Sequence, residues 1–156
     1  EPTIKLDRET ANIYPPATKT VTFTVTVNGV QGNSGVTWRS GNTKVATVSN
    51  GKVTAVGKGT ATITAKANGK LAKAKVTVKD PYANVSPTSG TIKVGKTLQL
   101  TTNYAPASTG TPSYSSSNKK VATVDSKGVV KGVKAGTATI TVKVNGVTAK
   151  AEITVK

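Results

Sequence analysis

The chain contains no cysteine, no histidine and no methionine among its 156 residues, and only one tryptophan and one phenylalanine. Without cysteine there are no disulfide staples and no thiol chemistry, although exported domains with adequate cores do without bridges, so compartment stays open. Without histidine or cysteine the chain cannot build a Ser-His-Asp or Cys-His centre or an ordinary zinc site. No apolar run is long enough to span a membrane as a helix, and Glu1-Pro2 does not read as the start of a signal peptide. Acidic residues are also scarce, six against 22 lysines and arginines, for a formal net charge of +16 and a pI near 10.2. Two-carboxylate glycoside chemistry needs a pair such as Asp7 and Glu9, but two acids on an exposed first strand read as surface, so no enzyme is expected. For calcium the best grouping is Asp80 with Asp7 or Glu9, while Asp125 is isolated on a turn. That ligand count is thin, and neither a metal nor a cofactor is assigned.

What is present is a repeat. Aligning Gly51 to Lys79 on Gly128 to Lys156 gives the same residue at 18 of 29 positions, among them Gly59, Thr60, Ala61, Thr62, Ile63, Thr64, Asn68 and Gly69. A period of about 77 residues is too long for a solenoid or propeller unit, so each copy is expected to be a small domain with its own core. The boundary falls in Lys79-Asp80-Pro81-Tyr82, giving domains 1–80 and 81–156. That linker is too short and proline-stiffened to act as a loose tether.

Aromatics make up 4% of the chain, and Val, Thr, Ala and Lys dominate, which favours half-buried strands over helices. Ile4 and Leu6 alternate with Lys5 and Asp7 until Tyr14-Pro15-Pro16 breaks the pattern. Val21, Phe23, Val25 and Val27 alternate with Thr20, Thr22, Thr24 and Thr26, predicting one strand with a buried face and a threonine face. Asn28-Gly29 turns it into the polar loop from Gln31 to Gly35. Further strands are predicted at Val36 to Trp38, Val45 to Val48 and Lys52 to Val56, with Asn50-Gly51 a tight hairpin and Gly57-Lys58-Gly59 a turn. A two-residue loop at Asn68-Gly69 sets Ala65 opposite Ala72, Ile63 opposite Ala74 and Ala61 opposite Val76. The Asn145-Gly146 turn likewise sets Ile140 on Ala151 and Thr141 on Lys150. A turn every eight to twelve residues is the rhythm of a sandwich or barrel. Trp38, Ile63, Tyr114 and Ile140 are the expected core residues, and Tyr82 and Tyr104 are expected to be exposed.

The first copy's Val36-Thr37-Trp38, Ser40-Gly41-Asn42, Val45-Ala46-Thr47-Val48, Gly51-Lys52-Val53 and Gly59-Thr60-Ala61-Thr62-Ile63-Thr64 resemble the bacterial immunoglobulin-like group 2 domain. The second is similar through Tyr114 to Asn118, Val121 to Val124, Gly128 and Gly136 to Thr141, with Tyr114 in place of the usual tryptophan. In the first copy, Arg8 to Lys19 lacks the glycine that Gly95 supplies in the second. The resemblance covers nearly the whole chain and implies two tandem immunoglobulin-like β-sandwich domains, an all-β protein. It implies no catalytic residue.

Twenty of the 22 cations are lysine, with no block of like charge. An outward strip of Lys66, Lys73 and Lys75, echoed by Lys143 and Lys150, is the candidate contact for a polyanion. Lysine on a strand's outward face also simply keeps a sheet soluble. As point charges these lysines suit diffuse attraction to an anionic cell-wall polymer or surface polysaccharide, and no motif points to specific nucleic-acid recognition. Gly57-Lys58-Gly59-Thr60 is a hairpin turn rather than a phosphate loop, because no leading glycine or following helix accompanies it. The expected role is a non-catalytic, extracellular segment of a larger bacterial surface or cell-wall protein of S-layer or adhesin type, a rigid spacer flanked by further domains. The alternatives are a phage virion decoration that binds host glycans and an accessory module of a carbohydrate-active enzyme.

Overall fold

A computed structural model describes residues 3–32, 35–107 and 109–156. Glu1 and Pro2, the loop residues Asn33 and Ser34, and Ser108 lie outside the described residues. Every regular element described is a strand, and the chain divides into two compact units, Glu1–Asp80 and Pro81–Lys156.

The first unit contains β1 (Ile4–Leu6), β2 (Thr10–Ile13), β3 (Thr20–Thr22), β4 (Val25–Val27), β5 (Val30–Gln31), β6 (Thr37–Ser40), β7 (Ala46–Ser49), β8 (Lys52–Ala55), β9 (Gly59–Ala67) and β10 (Lys70–Val78). One layer is the four-stranded sheet β2-β10-β9-β6, and the other is made of two short ladders, β1-β4-β5 and β3-β8-β7. Strand alternation sends Ala61, Ile63, Ala65, Ala74 and Val76 of the larger sheet inward, where they join Leu6, Phe23, Val25, Ala46 and Val53 of the ladders in one core. The second unit repeats this with β11 (Tyr82–Ser86), β12 (Ser89–Ile92), β13 (Thr97–Gln99), β14 (Thr101–Ala105), β15 (Ser113–Ser116), β16 (Ala122–Val124), β17 (Val129–Gly132), β18 (Gly136–Val144) and β19 (Val147–Val155). Here the sheet β12-β19-β18-β15 shares a core with residues of the ladders β11-β14 and β13-β17-β16.

The hairpin registers follow the Asn-Gly turns. Ala65 pairs with Ala72, Ile63 with Ala74 and Ala61 with Val76, while Ile140 pairs with Ala151 and Thr141 with Lys150. Asn28, Asn50, Asn68 and Asn145 all have φ near +50°, each followed by a glycine at +74° to +85°, which is the two-residue turn whose twist matches a hairpin.

Three features depart from the sequence reading. The Val21 to Val27 stretch is two strands, not one: β3 pairs with β8, Phe23 N donates to Gly51 O, and β4 then pairs with β1. Strand β8 begins just after the Asn50-Gly51 turn and offers β3 no residue beyond Lys52, so the chain must change neighbour there, while the alternation that buries Phe23 and Val25 runs on. The segment after Leu6 also adds β2, which lies parallel to β10, as β12 does to β19. Tyr104 is half-buried rather than exposed, whereas Tyr82 is exposed.

Candidate functional site

The outward face of the first unit's four-stranded sheet is set by the same register that fills its core. Across β6, β9 and β10 one row reads Thr37, Lys66, Leu71 and the next Arg39, Thr64, Lys73. A third row places Thr62 beside Lys75, which in turn lies beside Thr10 of β2. The first two rows, with Trp38, Gly41 and Thr62, line an open groove of about 590 Å³. Lys66, Lys73, Lys75 and Arg39 are all exposed, and none belongs to the two ion pairs found among the described residues, Arg8–Asp7 and Lys58–Asp80. The structure thus puts Lys66, Lys73 and Lys75 on one face and adds Arg39, which the sequence reading passed over. The signal for Arg39 was its neighbour: Trp38 packs against the core, so the next residue on the strand points out.

Lys143 and Lys150 occupy the equivalent face of the second unit, Lys143 between Ser113 and Thr148, and Lys150 beside Thr141. There, Ser115 takes the place of Arg39, and Glu152 that of Lys75, beside Thr139. The two faces are therefore not equal in charge, although the lysine strip reads as an echo in sequence.

Trp38 is half-buried beside the core, and its Nε1 is buried without a hydrogen-bond partner among the described residues. Tyr114, at the equivalent place, is also half-buried, and its hydroxyl lies 2.7 Å from that of Thr102. Strand pairing sets Val25 opposite Leu6 and Thr102 opposite Val85. Ile63 and Ile140 are fully buried.

Three carboxylates, those of Asp7, Asp80 and Asp125, have structural partners. Asp7 accepts from Thr24 N at 3.0 Å and pairs with Arg8, whose guanidinium lies 5.3 Å from the Phe23 ring centre. Asp80 sits 2.8 Å from Lys58 Nζ, and this partner holds the lysine pKa above its ordinary value. Asp125 Oδ1 accepts from Val129 N and Lys127 N, which lowers its pKa. Among the described residues no three acidic side chains come together as a metal site.

Two small β-sandwiches in series, each with a parallel edge strand on its larger sheet, define a tandem immunoglobulin-like protein. A family model for the bacterial Ig-like domain (group 2) matches residues 3–78 and again 82–155. The chain belongs to that family. Among curated proteins it is 34% identical over 150 residues to an uncharacterized protein of Clostridium acetobutylicum, covering 91% of this chain and 15% of the relative. It is 56% identical over 52 residues to a 3-O-alpha-D-galactosyl-alpha-L-arabinofuranosidase of Bifidobacterium longum subsp. longum, covering 32% of this chain and 5% of that enzyme. The chain thus spans a small part of the curated relatives it matches. Among solved structures, surface layer protein SbsC domains 1–6 superpose with a TM-score of 0.50 at 22% identity, over 99% of this chain and 27% of that one. SbsC domains 4–9 give 0.50 at 23%, over 100% and 30%. At these identities the likeness is one of fold.

Proposed function

We propose that the chain is a non-catalytic spacer segment of a larger bacterial cell-surface or cell-wall protein, carried outside the cell and drawn to anionic polymer there by its lysines. The observation that carries this reading is the tandem itself. Nearly the whole chain is two copies of one family domain, and their side chains are spent on two cores and on cationic outer surfaces. Stiffness comes from nine-residue strands, β9, β10, β18 and β19, each about 30 Å long at ~3.4 Å per residue. The surface-layer origin of SbsC agrees with such a setting, as does the small share of its curated relatives that the chain spans. The test is labelling of the native cell with an antibody raised against residues 1–156. Intact cells should bind it and lose the epitope on brief external proteolysis. Labelling only after lysis would overturn the reading.

A second reading has one observation in its favour. The short match to an arabinofuranosidase suits an accessory module of a carbohydrate-active enzyme, and a glycosidase domain in the same polypeptide would select it.

A further inference from the structure

We propose that the outer face of the first unit, and not that of the second, holds a phosphodiester-linked polyol chain, with Arg39 and Lys73 bracketing Thr64. This rests on the surface reading above and names the ligand class and the residues. The duplication supplies an internal control. Residues 1–80 carry 12 basic and 4 acidic residues and residues 81–156 carry 10 and 2, so both units have a net charge of +8. Diffuse attraction would treat them alike. On the outer faces they differ: Arg39, Lys66, Lys73 and Lys75 in the first unit stand against Lys143, Lys150 and the opposing Glu152 in the second.

The backbone differs at the same place. Gly41 N donates to Thr62 O and has no side chain of its own to lay on the strand there, whereas Ser117, which makes the same backbone bond to Thr139 O, also accepts from Thr139 N through its hydroxyl. Gly41 lines the groove of the first unit, and the serine at its place in the second puts a hydroxyl against the strand.

The chemistry of the rows selects the ligand. Successive outward rows lie about 7 Å apart along the strands, two residues at ~3.4 Å, and Arg39 and Lys73 flank Thr64 at about 4.8 Å of strand spacing on either side. A glycerol phosphate repeat is of similar length to the row spacing, so consecutive phosphates meet consecutive cationic rows. The guanidinium offers a fork to one phosphate, the ammonium groups offer point charges to its neighbours, and the threonine hydroxyls donate to phosphate oxygens. Leu71, 55% exposed in the first row, gives the polyol carbons an apolar contact. Flat sugar rings and nucleobases call for an exposed aromatic face on which to stack. Trp38 lines the groove but is half-buried against the core, and the outward rows themselves carry no aromatic residue.

The experiment is titration of the full 156-residue chain with soluble poly(glycerol phosphate), followed by amide chemical shifts and by calorimetry at several salt concentrations. Shifts should concentrate on β6, β9 and β10, and four phosphate contacts at ~0.7 per contact predict a slope of log K against log salt near −3. Arg39→Ala with Lys73→Ala should weaken binding at least tenfold and bring the slope to about −1.5, with unchanged amide dispersion elsewhere confirming the fold. Lys143→Ala with Lys150→Ala should change affinity less than twofold. Equal shifts on both units, equal loss in the two double variants, or no binding at low salt would overturn the proposal. So would tighter binding of a polycarboxylate polysaccharide or a single-stranded oligonucleotide. None of these results bears on the cell-labelling outcome, which tests the spacer reading separately.

Discussion

Replacing Ser116 by alanine tests whether the turn before each core valine-alanine pair is held by one hydroxyl. Ser116 Oγ donates to Ala122 O at 2.7 Å and accepts from Asn118 N at 3.2 Å, and Asn118 Oδ1 accepts from Lys120 N. The first copy builds the same clamp from Ser40, Ala46, Asn42 and Lys44. Asn118 is exposed, so its amide can turn to water. Ala122 is fully buried at 0%, and stranding a buried carbonyl costs about 1–3 kcal/mol. A 76-residue unit has a total stability of roughly 4–11 kcal/mol at ~0.05–0.15 per residue, so the loss is a large fraction of it. At about 4–8 °C per kcal/mol, the second unit's melting temperature should fall by roughly 5–20 °C. Circular dichroism melts of the full chain measure it, with Ser115→Ala as companion, since that neighbouring serine is exposed and should stay within about 0.5 kcal/mol of the parent. Equal effects from Ser115→Ala and Ser116→Ala, or a shift for Ser116→Ala below the change expected of a surface site, would refute the clamp.

Gly59→Ala should destabilise the first unit by about 1–3 kcal/mol in urea, because Gly59 has φ +138° and an added Cβ would lie 2.9 Å from Val45 Cγ2. Gly136 has the same relation to Val121, so Gly136→Ala should give a matching loss in the second unit. Ile140→Ala removes a side chain only 1% exposed and should cost about 2–5 kcal/mol, against about 1 for Ile140→Val, read from denaturant midpoints. Asp125 has its pKa lowered by the backbone amides of Val129 and Lys127. Its contribution to stability is therefore complete above the ordinary carboxylate pKa, about 4, and is lost as pH falls through the lower folded value. Asp125→Asn keeps an acceptor but does not titrate, so its melting temperature should drop less than the parent's between pH 6 and about 2.5. Parallel pH profiles would contradict this assignment.

Hairpins were legible in the sequence because Asn-Gly fixes both the turn and the residue opposite every other, so the pairing of Ile63 with Ala74 follows from counting. The parallel strand β2 was not, because its neighbour β10 begins 57 residues after β2 ends, and no local signal reports a pairing at that separation. Within Thr-Ala-Asn-Ile, only Ala11 and Ile13 mark an inward face. The change of partner at Phe23 was hidden for another reason. Side-chain alternation records which face is buried and is silent on which strand supplies the hydrogen bonds. The lysine strip could be read off as alternation, but Arg39 required knowing that β6 joins β9 at that edge. The unequal faces required setting Lys75 and Glu152 at one register position, beside Thr62 and Thr139.

Comparing the copies separates what folding demands from what it leaves free. The serine clamp, the glycine against a core valine and the inward alanines Ala61 and Ala74, matched by Ala138 and Ala151, recur because each touches buried backbone or core. The one-residue difference in alignment falls in the turns Ser49-Asn50-Gly51 and Asp125-Ser126-Lys127-Gly128, where a pair with positive φ in the first copy is matched in the second by a carboxylate accepting two amides. Trp38 and Tyr114 hold equivalent places with different polar atoms: the Tyr114 hydroxyl meets that of Thr102, whereas Trp38 Nε1 has no hydrogen-bond partner among the described residues. Arg39 against Ser115 and Lys75 against Glu152 are different in kind. These side chains are exposed, and losing the charge at one position and reversing it at the other leaves the sheet, its register and its core in place. Stability therefore does not account for a fourfold cationic face on one unit alone, which is why that face, rather than the total charge, is where a ligand should be sought.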